Sequence, residues 1–318
     1  FYNADLNTAI QIVATCSAAG ARVVEFTNRG DLAYEVFAGL VRHFTREDPS
    51  VILGVGSVID PATAALYISS GANFVVGPVL NPEVARVCNR RKVAYSPGCG
   101  SASEISQAEE LGVEIVKVFP GGEVGGPSFV QAILGPCPWT RIMPTGGVEA
   151  TRESIGAWFK AGVAAVGIGS NLIRRELVAK GDFDGLGELV SRVLWWIKEA
   201  RGQSLFTGIE HPGLYPFAGT SGQNIAEWYS QVFGFRLSEG RSSFFLSGQG
   251  PGRIEVMKEP VSDRSHIAIR VANFEAAVAA LQAQGVELEE PISGPQSKAV
   301  YLKEPDPAGN RVHLLWLP

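Results

Sequence analysis

The sequence has few cysteines, few histidines and no long apolar run. Its 318 residues include 4 cysteines, all in the first 200 residues and none in a CxxC pair, which argues against a disulfide framework. No continuous apolar segment is long enough to span a bilayer, and no signal peptide is visible. The formal net charge of −5 argues against a nucleic-acid surface. These features predict a cytoplasmic protein with no membrane and no nucleic-acid partner.

Short β-rich runs alternate with helical segments through the first 200 residues. Such alternation predicts a parallel sheet covered by helices, and eight units of this kind close a (β/α)8 TIM barrel. Because Phe1 and Tyr2 stand directly before the first helix, we expect the first barrel strand to be truncated in the printed chain. The strands that the pattern predicts are 21–27, 51–58, 73–79, 92–98, 114–120, 141–147 and 164–169.

Lys117 lies in the apolar run 113–120, where a solvated lysine would not be expected. Burial disfavours the ammonium form, so a lysine in a barrel lumen can attack a carbonyl and form a Schiff base. The structural alternative is an edge-strand lysine whose amine reaches water. Polar residues at the ends of several other predicted strands favour the catalytic interpretation.

Those polar residues follow the predicted strands at their carboxyl ends, where barrel enzymes carry their active sites. They lie in Val23-Val24-Glu25-Phe26-Thr27-Asn28-Arg29, Gly54-Val55-Gly56-Ser57-Val58, Ser96-Pro97-Gly98, Val116-Lys117-Val118-Phe119-Pro120 and Pro144-Thr145-Gly146-Gly147. Through these segments the first 200 residues resemble the 2-keto-3-deoxy-6-phosphogluconate (KDPG/KHG) aldolase family. The resemblance implies a class I aldolase, a carbon–carbon lyase that needs no cofactor.

The resemblance also implies roles for these residues. Lys117 is then the Schiff-base lysine, Glu25 the general acid/base acting through a bound water, and Arg29 the partner of the pyruvate-derived carboxylate. A carboxylate beside a neutral amine can relay protons, and a guanidinium holds a carboxylate in bidentate geometry. A structural ion pair is the alternative for Glu25 and Arg29. The other expected contacts of the substrate carboxylate are Ser57 (usually threonine in the family), Pro97, Gly98 and Phe119.

Two glycine-containing turns follow the last two predicted barrel strands. Barrels often bind phosphate there through backbone N–H groups, although glycine also serves ordinary tight turns. With the resemblance, the turns imply that the chain cleaves 2-keto-3-deoxy-6-phosphogluconate to pyruvate and glyceraldehyde 3-phosphate. The resemblance by itself implies a homotrimer. The alternative substrates are 4-hydroxy-2-oxoglutarate and 2-keto-3-deoxy-6-phosphogalactonate. The candidate phosphate contacts are Thr145, Gly146, Gly147, Gly169 and Ser170.

A second domain, residues 208–318, follows a Gly-, Gln- and Ser-containing linker at residues 201–207. Its pattern predicts a strand, a helix and three strands, and the same order then repeats. A smaller α+β domain of two βαβββ modules is therefore expected. The repeat comprises a helix at 274–284 and strands at 266–271, 286–290, 299–303 and 310–316.

This second domain resembles the vicinal oxygen chelate superfamily of glyoxalase- and dioxygenase-like proteins. The resemblance rests on residues 209–214, 228–235 and 306–314. Its members often hold a divalent metal with residues from the first and last strand of each module. Three imidazoles and one carboxylate would suit Fe, Ni, Mn or Zn, whereas strand histidines facing a polar cleft are the alternative. The matching positions are His211, Glu255, His266 and His313, the last usually glutamate in the superfamily.

Two hypotheses for the whole chain follow from these patterns. The first is a class I aldolase fused to a metal-binding domain. The second is a non-catalytic scaffold or sensor whose barrel binds a keto acid. The presence of Lys117, Glu25 and Arg29 favours the enzyme, because loss of the amine would be the simplest mark of decay. The second domain could be a glyoxalase, an epimerase, a dioxygenase, a metal-free pocket or a device that joins subunits.

Overall fold

The computed structural model describes residues 1–217, 219–250, 252–259, 265–294 and 297–317. The chain divides into two compact units, Phe1–Arg201 and Gly202–Pro318. Among the described residues, no helix combines the length and the apolar character that a membrane span requires.

The first unit contains parallel strands that form the wall of a barrel. They pair in the orders β1-β2-β3-β4 and β5-β6-β7. Gly98 N donates to Gly77 O over 3.0 Å, which continues the wall between the two groups. The strands are β1 (Val23–Thr27), β2 (Ile52–Gly56), β3 (Phe74–Val76), β4 (Ala94–Ser96), β5 (Gly98–Cys99), β6 (Val116–Val118) and β7 (Ile142–Pro144).

Helices cover the outer face of these strands. Fully buried Phe37, Tyr67 and Ile155 lie on three of them, so the apolar helix faces form one core with the sheet. The (β/α)8 fold class expected from the sequence is confirmed. The helices are α1 (Leu6–Ala18), α2 (Ala33–Glu47), α3 (Pro61–Ser69), α4 (Pro82–Arg91), α5 (Ala102–Glu110), α6 (Gly126–Leu134), α7 (Arg152–Lys160), α8 (Arg175–Lys180) and α9 (Phe183–Ala200).

The barrel differs from the expectation at its last strand, and Phe1 accounts for what is seen of the truncated first strand. Residues 164–169 make only an isolated bridge, between Gly167 and Thr145, where the sequence predicts a full strand. On the far side of β1, the amino group of Phe1 donates to Glu25 O over 2.8 Å, and Thr27 N donates to Phe1 O over 2.7 Å. Phe1 therefore pairs with the free edge of β1, while the segment at Gly167 pairs only with β7.

The described residues of the second unit form one mixed sheet and two helices. Its strand order is β13-β14-β15-β12-β8-β11-β10-β9, and the central strands β8 and β12 are antiparallel. This is the expected pair of βαβββ modules side by side. The elements are β8 (Phe206–Leu214), α10 (Gly222–Phe233), β9 (Arg236–Glu239), β10 (Ser243–Ser247), β11 (Arg253–Met257), β12 (His266–Val271), α11 (Phe274–Ala283), β13 (Ile292–Gly294), β14 (Ser297–Tyr301) and β15 (Arg311–Trp316).

Two details of the second unit depart from the sequence prediction. The strand predicted at 286–290 is reduced to one bridge between Leu288 and Leu302, and the pairing strand is β13 instead. β8 begins at Phe206, inside the segment predicted as a linker. The domain limits 1–200 and 208–318 stay a prediction.

Side-chain alternation divides the sheet into two faces. Val271 and Leu314 pack with Phe274 of α11, and Leu246 and Val256 pack with α10. The residues that alternate with these along the strands point to the other face. That second face, which the helices leave free, carries the candidate metal ligands.

Candidate active site and metal centre

Lys117 occupies the middle of β6, with Gly98 of β5 and Met143 of β7 as its register partners. Its neighbours Val116 and Val118 are buried on the helix side, so Lys117 points into the barrel. The residue is only 5% exposed and lines a cavity of about 1800 Å³. Its Nζ lies 4.8 Å from the centre of the Phe119 ring. The structure therefore places a buried amine beside an apolar wall.

Glu25, Arg29 and Ser57 line the same cavity as Lys117. Arg29 Nε donates to Ser57 Oγ over 3.1 Å, so the guanidinium is anchored by the next strand end. Gly56 makes room for the carboxylate, because a Cβ at that position would lie 1.7 Å from Glu25 Oε1. The Glu25 carboxylate on β1, the Arg29 guanidinium just after β1 and the Lys117 amine on β6 therefore line one cavity.

Burial and two neighbouring charges set the pKa of the Lys117 amine. Burial lowers the pKa of Lys117 below its ordinary value of 10.5, Glu25 opposes this shift, and Arg29 adds to it. A neutral amine is the nucleophilic form, so the lowered pKa raises the reactive fraction at neutral pH.

The pKa of Lys117 should respond in opposite directions to two substitutions. Glu25→Gln removes a negative charge and should lower the pKa further, whereas Arg29→Met removes a positive charge and should raise it. The measurement is the rate at which an amine-specific acylating reagent labels the Lys117 peptide, followed against pH by mass spectrometry. Labelling of wild type should reach half its maximum below pH 10.5. Shifts of the same sign in both variants would contradict this electrostatic account.

The two glycine-containing turns lie beside each other. Gly167 N donates to Pro144 O over 2.9 Å, and Asn171 Nδ2 donates to Val148 O over 3.1 Å, which ties the second turn to the first. Thr145 Oγ1 is buried and has no hydrogen-bond partner among the described residues. A ligand in the cavity could therefore satisfy this hydroxyl.

The structure separates the sequence-predicted substrate contacts into two groups. Those that line the cavity are Arg29, Ser57, Phe119, Thr145, Gly169 and Ser170. Those that do not appear in its lining are Pro97, Gly98, Gly146 and Gly147. Gly98 is a packing residue of the wall, since a Cβ there would lie 2.2 Å from Pro78 O. A direct role for the second group stays a prediction.

In the second unit, three of the four predicted ligands converge on one point. His211 Nε2 lies 3.0 Å from Glu255 Oε2, and His266 Nε2 lies 3.2 Å from each of these two atoms. Ligand atoms held by bonds of about 2.1 Å are about 3.0 Å apart in an octahedron and about 3.4 Å apart in a tetrahedron. The observed triangle therefore has the size of one face of a coordination shell.

His313 lies next to this triangle without joining it. Its ring centre is 5.5 Å from that of His211, 5.3 Å from that of His266 and 4.6 Å from that of the tilted Tyr301 ring. Burial, reinforced by His266 and His211, lowers the pKa of His313 to about 4. Its imidazole is therefore neutral at pH 7, as a metal ligand must be.

Strand register explains how residues so distant in sequence meet. Gly213 of β8 pairs with Glu255 of β11 on one side and with His266 of β12 on the other. Ala268 of β12 likewise pairs with both His211 and His313. Small residues thus occupy the centre of the face, and the larger ligands surround them.

Gly213 is required by the space that His266 occupies. A Cβ at this position would lie 1.8 Å from Cε1 of the His266 ring. We expect Gly213→Ala to displace that imidazole and to weaken metal binding by about 10- to 100-fold, the scale of lost ligand orientation. Competition with a chromophoric chelator measures the affinity. Gly250→Ala, at an unobstructed position in the same unit, is the control, and equal affinities would contradict the expectation.

Sequence reasoning missed two polar residues that contact the ligands. Ser243 Oγ donates to Glu255 Oε1 over 2.6 Å, which leaves Oε2 to face the histidines. Glu210, buried beside His211, is the hydrogen-bond partner of His211 Nδ1. The period-two pattern gives no sign of Glu210, because it assigns neighbours to opposite faces of a strand.

The electrostatic environment favours a cation at this point. Burial alone would raise the pKa of Glu255, but hydrogen bonds from His211, His266 and Ser243 outweigh it and hold that pKa well below its ordinary value. Burial likewise opposes a charge on His211, yet its bonds to Glu210 and Glu255 raise its pKa. A pocket that stabilises positive charge on an imidazole also stabilises a metal cation.

Comparison with known proteins gives two family matches. The model of the family described as KDPG and KHG aldolase matches residues 2–189, and that of the Glyoxalase/Bleomycin resistance protein/Dioxygenase superfamily matches residues 218–314. A 2-dehydro-3-deoxy-phosphogluconate aldolase of Haemophilus influenzae is 32% identical over 191 residues, which are 59% of this chain and 86% of that protein. The KHG/KDPG aldolase of Escherichia coli is 29% identical over 184 residues, which are 58% of this chain and 84% of that protein.

Solved structures give the same picture for the first unit. A KDPG aldolase from Legionella pneumophila, with pyruvate captured as a covalent carbinolamine intermediate, is 26% identical with a TM-score of 0.56. The match covers 61% of this chain and 91% of that one.

Proposed function

The chain belongs to the KDPG and KHG aldolase family and is a carbon–carbon lyase, and from this premise we propose that its Schiff base forms on Lys117. The observation that carries the proposal is the burial of this amine in the cavity that Glu25 and Arg29 also line. The Legionella relative, whose crystals hold a pyruvate carbinolamine, supports the same chemistry here. A snorkelling lysine would need a route to water, and 5% exposure leaves little of one.

The proposed reaction is a retro-aldol cleavage. Neutral Lys117 Nζ attacks the C2 carbonyl of the keto acid, and loss of water from the carbinolamine gives an imine. Glu25, through a water, accepts the C4 hydroxyl proton while the C3–C4 bond breaks. The resulting enamine takes a proton at C3, and hydrolysis of the imine releases pyruvate and restores the amine. Arg29, held by Ser57, binds the carboxylate throughout.

The proposed substrate is 2-keto-3-deoxy-6-phosphogluconate, which yields glyceraldehyde 3-phosphate as the second product. The adjoining turns at Thr145 and Gly169 support a phosphate in this part of the cavity, and the Thr145 hydroxyl, which lacks a hydrogen-bond partner among the described residues, is one of its proposed contacts. Comparison of kcat/KM for this substrate, 2-keto-3-deoxy-6-phosphogalactonate and unphosphorylated 4-hydroxy-2-oxoglutarate tests the choice. A preference for the unphosphorylated acid would contradict the phosphate assignment.

Borohydride trapping with pyruvate tests the mechanism. Reduction fixes an imine on the lysine that formed it, so intact mass and peptide mapping should locate one pyruvyl adduct on Lys117. A folded protein that gives no adduct would support the scaffold or sensor hypothesis. An adduct on another lysine would overturn the assignment of Lys117 while leaving class I chemistry in place.

A homotrimer belongs to the same proposal, since the aldolase resemblance implies that assembly. Sedimentation velocity of the full chain should give the mass of three 33.9 kDa protomers. A stable monomer at micromolar concentration would contradict it.

A metal centre in the second unit is the second function that we propose. The triangle of His211, Glu255 and His266 carries this proposal, because its sides of 3.0–3.2 Å match a coordination face. The neutral imidazole of His313 lies beside the triangle. We propose it either as an additional ligand or as a neighbour of an open coordination position. Fe, Ni, Mn and Zn suit this donor set, and such an ion, when bound, acts as a Lewis acid toward a chelating oxygen ligand.

Elemental analysis of protein purified without chelators tests the metal proposal. One equivalent of a transition metal is expected in wild type and much less in His211→Ala. Equal, substoichiometric contents in both proteins would remove the metal centre and leave a metal-free polar pocket.

A further inference from the structure

We infer that Glu210 is the positioning residue for His211, fixing which ring nitrogen of that imidazole faces the metal centre proposed above. The inference rests on the proposed metal centre and adds a residue that the family match does not assign.

The irregularity is a β-bulge. Across the β8–β12 pair, Ala268 pairs with His211 and Ile269 pairs with Ile209, so Glu210 is an extra residue on β8. In a regular strand, the side chains of Glu210 and His211 would point to opposite faces. A bulge re-aims a side chain, and both residues are buried here, at 8% and 4% exposure.

The hydrogen bond fixes which ring nitrogen of His211 can bind a metal. Its Nδ1 is the partner of Glu210 Oε2, and an ionised carboxylate can only accept, so Nδ1 carries a proton. Nε2, 3.0 Å from Glu255 Oε2 and 3.2 Å from His266 Nε2, is therefore the nitrogen that offers its lone pair to a metal, whose binding displaces the proton that Nε2 donates to Glu255. A carboxylate behind a ligating histidine fixes its tautomer and orientation and raises its basicity.

The carboxylate of Glu210 is itself held in place. Its Oε1 lies 3.0 Å from Arg253 Nε, an ion-pair contact outside hydrogen-bond geometry, and the Arg253 guanidinium lies over the Phe245 ring at 4.2 Å. The other two imidazoles have no such support, because Nδ1 of His266 and of His313 are buried without a hydrogen-bond partner among the described residues. His211 is thus the imidazole that the protein orients in advance of metal binding.

An ion pair between Glu210 and Arg253 could instead serve the stability of the sheet alone. That alternative predicts that removing the carboxylate lowers the unfolding temperature and leaves metal affinity unchanged. The positioning role predicts that metal affinity falls and that the unfolding temperature changes little. Affinity and unfolding temperature are therefore measured on the same proteins.

The first experiment measures Co²⁺ affinity of the full-length metal-free protein by competition with a chromophoric chelator. Glu210→Gln keeps the size of the side chain and should weaken binding by about 10- to 100-fold. Glu239→Gln, which removes an exposed carboxylate from the same sheet, is the matched control and should bind like wild type. Affinity of Glu210→Gln equal to that of the control would overturn the inference and leave the metal centre standing. Absence of Co²⁺ binding by wild type would overturn both.

The second experiment needs no variant, so it holds even if Glu210→Gln does not fold. The chain has 4 histidines, and three of them are in the site, which makes its ring ¹⁵N spectrum small enough to assign. In Zn²⁺-loaded wild type, His211 should keep its proton on Nδ1 and bind the metal through Nε2, with His43 as the reference outside the site. A loaded His211 ring protonated at Nε2 would overturn the inference.

Discussion

Lys117→Met should abolish aldolase turnover while the protein stays folded. Removing a covalent nucleophile lowers kcat by roughly 10⁴-fold or more in other enzymes, so we expect activity at the background level. Methionine keeps the length of the lysine side chain. The substitution also removes an amine whose charged form is disfavoured by burial, so the unfolding temperature should be unchanged or higher. A coupled assay for pyruvate release measures turnover, and thermal unfolding checks the fold.

Lys160→Met is the matched control for this experiment. Lys160 lies on α7, is exposed and does not line the cavity, so its loss should leave kcat within about 2-fold of wild type, as for most surface substitutions. If Lys117→Met kept more than a tenth of wild-type turnover, the covalent mechanism would be wrong. If both variants lost activity, the defect would lie in the fold or assembly of the barrel.

His266→Ala should remove stoichiometric metal from the second unit. This imidazole is 2% exposed and its Nε2 lies 3.2 Å from both other atoms of the triangle, so its loss opens one corner of the proposed site. We expect affinity to fall by more than the roughly 100-fold that losing an outer partner costs. Elemental analysis and chelator competition on the same preparation measure the content and the affinity.

His43→Ala is the control, because it removes the histidine that lies outside the site, on α2 of the first unit. It should bind metal like wild type. Full metal content in His266→Ala would show that the ion sits elsewhere or binds adventitiously. Aldolase turnover should be unaffected in both variants, since neither residue lines the barrel cavity.

Much of the first unit could be predicted from local sequence. The apolar strand around Lys117 and the glycine-containing turns are short motifs, and the family match and lyase activity that they implied are confirmed. The predicted strand at 164–169 was wrong in extent. Among the described residues its strand-to-strand hydrogen bonds run to β7, and with one neighbouring strand the segment forms one bridge.

In the second unit, local sequence patterns predict the order of the strands and helices but not which strands pair. The doubled βαβββ order and the three histidines are visible in the sequence, and the fold is confirmed. The strand predicted at 286–290 was displaced to β13, because apolar alternation marks a strand but does not say which neighbour it pairs with. The roles of the individual ligands stay predictions.

The sequence alone determined the two fold classes, the aldolase family and the residue types of both sites, because period-two alternation and short motifs are properties of neighbouring residues. Only the tertiary structure decided which of those residues meet. The bulge that turns Glu210 toward His211, the space that Gly213 leaves for His266 and the room that Gly56 leaves for Glu25 all depend on pairing between separate strands. That register is fixed by packing and backbone hydrogen bonds across the sheet, which no local stretch of sequence contains.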